Sequence, residues 1–126
     1  MKLEQAQKIL KFCAKSSKIS PNNLPVLTSV RFELIEQNAK GAFWINKKGN
    51  PVIYLDLNYF DIPWVICHEW VHFLQWLRGD LTVKGNLLYY KNQDTSGLPY
   101  YSRPEEKEAR EVGEDLWKKW NRINRG

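Results

Sequence analysis

Two histidines occur in this chain of 126 residues, and both fall within Cys67-His68-Glu69-Trp70-Val71-His72-Phe73-Leu74-Gln75-Trp76. The string His68-Glu69-Trp70-Val71-His72 has the H-E-x-x-H pattern. On a helix, residues four apart project from one face about one turn apart. That separation lets two imidazoles hold one zinc ion, and Glu69, about 100° round the helix from His68, can approach a water there without ligating the metal. The flanks support a helix from Ile62 to Arg78. Asp61 suits the N-cap, Pro63 the first turn and Gly79 the stop. Ile62, Ile66, Trp70, Phe73, Leu74 and Leu77 recur at helical spacing and predict the buried stripe. Cys67 reads as a small buried residue and not as a ligand.

The other elements follow from period and punctuation. Leu3 to Ser17 predicts a first helix, apolar at Leu3, Ala6, Ile9, Leu10 and Cys13 and wet at Lys2, Lys8, Lys11 and Lys15. Residues 20–25 read as a loop. Val30 to Ile35, Ala42 to Ile45 and Pro51 to Leu57 read as strands, with a turn at residues 37–41 and a hairpin loop at residues 46–50. A small hairpin pairs Leu81-Thr82-Val83 with Leu87-Leu88-Tyr89-Tyr90. Residues 92–97 form a polar loop and residues 98–101 an extended segment. Ser102 and Glu105 fit a capping box that opens a last helix from Arg103 to Asn121. Its apolar stripe is Ala109, Val112, Leu116, Trp120 and Ile123. The expectation is one α+β domain over residues 1–126, a small antiparallel or mixed sheet packed on three helices.

Charge and cysteine use bound the function classes. The net charge is +5, and its excess lies in residues 1–60, with nine basic against four acidic residues; residues 61–126 carry ten of each. A basic N-terminal face can attract nucleic acid. No phosphate loop, zinc-finger spacing or aromatic RNA signature accompanies it, so a solvated lysine face is the favoured reading. No apolar run approaches a membrane span and no secretory h-region opens the chain. Cys13 and Cys67 read as reduced thiols, which with the missing leader points to the cytoplasm.

A catalytic zinc site needs a third protein ligand and leaves one position open. With no further histidine, a carboxylate is expected, and Glu105, Glu106 and Glu108 at the start of the last helix are the candidates. Periodicity does not choose among them. Glu105 has a competing role in the capping box. The helix dipole alone favours carboxylates in a first turn.

The order H-E-x-x-H, small hairpin, then Pro104-Glu105-Glu106-Lys107-Glu108-Ala109 resembles the minimal gluzincin-like metallopeptidases of bacteriophages and bacteria. In these a P-x-E-x-E-A string follows the motif helix by a few tens of residues. The likeness spans about residues 42 to 117. It implies a zincin-like fold, Zn²⁺ as cofactor, a peptide or protein substrate, and the host cytoplasm as location if the chain is phage-encoded. Carried over, the E-x-x-A pattern of gluzincins makes Glu106 the third ligand beside His68 and His72. Glu108 becomes a supporting carboxylate, and Glu69 the general base. Tyr101 is the expected donor to the developing oxyanion, with Tyr100 and Arg103 as further candidates. Ala42 to Ile45 resembles the edge strand to which substrate adds. Where many gluzincins have an Asp four residues after the ligand Glu, this chain has Arg110, so the ligand histidines must be oriented by another residue. Two other readings compete: a zincin-fold binding module without proteolysis, and a basic DNA-associated protein. DNA-linked SprT-like zincins usually supply a third histidine, which this chain lacks.

Overall fold

The computed structural model describes residues 1–30 and 40–124. Helix α1 (Leu3–Ser16) buries Ala6, Ile9, Leu10, Cys13 and Ala14. Strands β1 (Val26–Ser29), β2 (Gly41–Ile45) and β3 (Pro51–Leu55) form a mixed sheet in the order β1-β3-β2. β1 runs parallel to β3, with Leu27 beside Ile53; β2 runs antiparallel to it, with Phe43 beside Ile53. Helix α2 (Ile62–Leu77) follows, then a small antiparallel sheet of β4 (Leu81–Lys84), β5 (Leu87–Tyr90) and β6 (Gln93–Asp94), and finally α3 (Pro104–Ile123). The chain is therefore a mixed α+β protein of three helices and two small sheets. Among the described residues, no helix is long and apolar enough to cross a membrane.

α2 is the axis of the packing, touching α1, α3, β2, β3 and β4. It begins where the Asp61 carboxylate accepts from Trp64 N at 3.2 Å. It ends in a Schellman arrangement, with Gly79 N donating to Trp76 O at 3.0 Å and Asp80 N to Gln75 O at 2.9 Å. Gly79 sits there at φ +84°, a conformation that costs glycine little. Trp70 is fully buried, and its indole N–H donates to Ser17 Oγ at 2.9 Å, fastening α2 to the end of α1. Cys13 and Cys67 meet between the same two helices as free buried thiols, Sγ to Sγ 3.8 Å.

Several expectations are corrected. β1 lies at Val26–Ser29, just after the expected loop; the expected strand Val30 to Ile35 lies outside the described residues except for Val30, whose N donates to Leu55 O. The turn at residues 37–41 also lies outside them except for Lys40 and Gly41. β6 replaces part of the polar loop, and a 3₁₀ turn at Tyr100–Ser102 replaces the end of the extended segment. The capping box at Ser102 does not form: Arg103 is the N-cap, without a side-chain bond, and Glu105 turns inward. On α3 the buried stripe is Ala109, Gly113 and Leu116, while Val112 and Ile123 are exposed; Leu77 of α2 is exposed as well.

Gly113 sets the distance between α2 and α3. A Cβ there would lie 3.1 Å from His68 Cα and 3.2 Å from His68 N, against backbone that cannot rotate away. Gly113→Ala should therefore push α3 off α2 and destabilise the fold by about 1–3 kcal/mol, despite alanine's better helix propensity. Denaturant unfolding checks this, and a neutral or stabilising result would show that the helices have slack at this crossing.

Candidate metal centre

The H-E-x-x-H face of α2 looks toward the first turn of α3. Glu106 Oε1 lies 2.9 Å from His68 Nε2 and 3.2 Å from His72 Nε2. Both imidazoles and Glu69 are buried. The ligand atoms available from His68, Glu69 and His72 all lie within 4.8 Å of one another, close enough to hold one metal ion. Two carboxylates thus offer themselves to the ring pair. With zinc–ligand bonds of about 2.0–2.2 Å, atoms at the corners of a tetrahedron are about 3.3 Å apart. The Glu106 oxygen stands close to that spacing from both rings, and it comes from a second helix, leaving Glu69 free beside the pair.

Gln75, to which the motif assigns no role, orients His72. It is fully buried, and its Oε1 lies 2.8 Å from His72 Nδ1. Its Nε2 donates to Glu105 O at 3.0 Å and to Glu108 Oε1 at 2.8 Å. With the amide N–H groups engaged there, Oε1 must accept, so His72 carries a proton on Nδ1 and presents Nε2 to Glu106. Residues three apart on a helix are neighbours, so the His72–Gln75 spacing was the available clue. Glu108 also takes Arg78 Nη2 at 2.5 Å, which holds its carboxyl below the usual range despite some burial. It supports Gln75 at a remove from the rings. Arg110 donates to Tyr101 O.

The 3₁₀ turn before α3 corrects the choice of tyrosine. Consecutive residues in such a turn point about 120° apart. Tyr100 faces the centre and donates its hydroxyl to Glu106 Oε1 at 2.8 Å. Tyr101 faces solvent, 75% exposed, with the Arg110 guanidinium 3.8 Å above its ring. Arg103 lines the cleft but spends its guanidinium on Leu98 O and Ser96 O. Trp64 stacks on His68, ring centroids 5.7 Å apart.

The centre opens on a cleft of about 420 Å³ between β2 and the β4–β5 hairpin. Ala42, Phe43 and Trp44 form one wall, Leu81 and Leu88 another, and Glu69, His72 and Glu106 lie along it.

The electrostatics couple the groups. Burial alone would lower His72, but the bonded Glu106 carboxylate, with Glu69 and Gln75, outweighs it and raises the imidazole to about 9. Burial pushes Glu106 up, yet its bonds to His68, His72 and Tyr100 hold it well below the carboxylate range. Burial raises Glu69, opposed by the two histidines. Burial and then Glu106 raise the Tyr100 phenol, so it stays a donor at neutral pH.

In the metal-free protein His72 and Glu106 therefore form an ion pair. The folded pKa of His72 lies above its ordinary 6.5. Its stabilisation is complete below about pH 6.5 and is lost as pH rises through about 9. Glu106 runs the other way: its stabilisation is complete above the ordinary carboxylate pKa and is lost progressively as pH falls below it toward the depressed folded value. The Tm of chelator-treated protein should fall between about pH 7 and 9.5, and Glu106→Gln should flatten that fall. A Tm profile unchanged by Glu106→Gln would refute the pairing.

Comparison with protein families, with curated proteins and with solved structures gives no match. The class the coordinates define is a mixed α+β protein with a buried His-Glu-His group able to hold a metal ion.

Proposed function

We propose that this protein is a zinc-dependent peptidase of zincin-like fold. One observation carries the reading: a carboxylate 34 and 38 residues away in sequence lies against both imidazoles of the H-E-x-x-H helix, at the head of an open cleft. The donor set suits zinc. Two imidazole nitrogens and one carboxylate oxygen are borderline ligands that zinc accepts, and three protein ligands leave a position for water or substrate.

Zinc bound there would supply a Lewis acid that polarises a carbonyl and acidifies a water. Glu69, buried beside the ring pair, takes the proton of the attacking water and delivers it to the leaving amine. Gln75 and Glu108 keep the His72 ring in register. With Glu106 taken up by zinc, the Tyr100 hydroxyl that now donates to it would turn to the oxygen that gains charge as the carbonyl is attacked. Among the described residues β2 pairs only with β3, so its other edge, beside the cleft, can take an extended peptide as an added strand.

The test is metal analysis of the purified protein, together with cleavage of a mixed peptide pool followed by mass spectrometry. We expect about one zinc per chain, cleavage that stops with a chelator, and recovery when zinc is returned. Zinc without cleavage of any peptide would leave a metal-binding module; absence of zinc would overturn the reading.

A further inference from the structure

One carboxylate in the cleft wall is used by neither the metal centre nor an ion pair among the described residues. Glu105, beside Glu106, is 4% exposed and lines the cleft. Its Oε2 accepts from Thr95 Oγ1, while its Oε1 is buried with no hydrogen-bond partner among the described residues. Its backbone is fixed by the bond from Gln75 Nε2 to Glu105 O. Arg103, the basic residue that lines the same cleft, is bonded to two loop carbonyls and lies over the Tyr100 ring.

A buried carboxylate oxygen without a partner is costly, and a cationic head with hydrogen-bond donors would complete it. Phe43, Trp44, Leu81 and Leu88 line the same cleft with apolar surface. Apolar walls with an acid among them match the build of a lysine or arginine side chain, a methylene stem with a charged donor head. A divalent cation such as calcium would need six or more oxygen ligands, far more than one carboxylate and one hydroxyl provide.

We infer that Glu105, held by Thr95, is the recognition residue of a subsite for a cationic side chain of the substrate, so that the enzyme selects peptides carrying lysine or arginine next to the bond it cuts. The inference rests on the peptidase reading of the neighbouring centre. It assigns Glu105 to binding, with no part in holding the metal or moving the proton.

The experiment separates the two readings by measuring binding apart from turnover. Capped alanine pentapeptides with lysine, arginine, norleucine or glutamate at the centre are titrated by calorimetry into the zinc-loaded Glu69→Gln protein. Norleucine keeps the stem of lysine and lacks its charge. We expect lysine and arginine peptides to bind at least about tenfold more tightly than the norleucine peptide, the effect of one charge-assisted hydrogen bond. Adding Glu105→Gln, with zinc content unchanged, should bring the two within about twofold. Equal binding of lysine and norleucine peptides, a preference that survives Glu105→Gln, or no binding by any of the peptides would overturn the subsite. If Glu105→Gln does not fold, the lysine-to-norleucine ratio with Glu105 intact decides, supported by a reduced ratio in Thr95→Val. A lysine preference without turnover by the unaltered protein would sink the peptidase reading and leave the subsite standing. Turnover without the preference would do the reverse.

Discussion

If the proposed centre binds zinc, Glu106→Ala should abolish that binding. Removing one of three ligands should weaken affinity by more than the 10- to 100-fold typical of groups that only orient a ligand. Competition against a chromophoric chelator measures this directly. Glu108→Ala supplies the contrast. It removes the carboxylate that Arg78 and Gln75 share, and so acts on the metal only through the orientation of His72. Its loss should stay within about 10- to 100-fold. If Glu108→Ala lost zinc and Glu106→Ala retained it, the assignment of the third ligand would be reversed. Gln75→Leu should behave like Glu108→Ala, since both free the imidazole to turn.

If the protein is the zinc peptidase proposed, Glu69→Gln should leave zinc in place and remove turnover. The amide is nearly isosteric with the carboxylate, so the buried position stays filled, but it cannot accept the proton of the attacking water. General-base catalysis contributes about 10²–10⁴-fold, and kcat should drop by at least that much with zinc content unchanged. Cleavage that persists at the unaltered rate would remove Glu69 from the chemistry. Cleavage lost together with zinc would place Glu69 among the ligands, within 4.8 Å of the ring nitrogens.

The legible part of the centre was the part written within one helix. His68, Glu69 and His72 are fixed by a spacing of four on a segment whose caps, Asp61 and Gly79, are local signals. The third carboxylate was not legible from period. Glu105, Glu106 and Glu108 sit in the first turn and a half of α3, and rotation of that helix alone decides which faces the rings. Only the resemblance chose Glu106; the three side chains in fact go to Thr95, the imidazoles and Arg78. Tyr100 and Tyr101 were indistinguishable because a 3₁₀ turn, weakly signalled in sequence, decides which one faces inward. β1 escaped because four residues with a single buried side chain, Leu27, show no alternation to read. The Ser102 capping box failed because Glu105 is drawn to Thr95 in the cleft wall, a tertiary contact that outweighs a local one.

Gln75 carries a consequence beyond the angle of one ring. Its three hydrogen bonds join an imidazole on α2 to a main-chain carbonyl and a carboxylate on α3. Neither helix can slide or roll on the other without breaking at least one of them. If the proposed centre takes an ion, its socket is thus preorganised by folding, and the entropy of assembling it is lost before any ion arrives. Loading should change the backbone hardly at all, and spectra of the empty and filled forms should differ only at the residues around the socket.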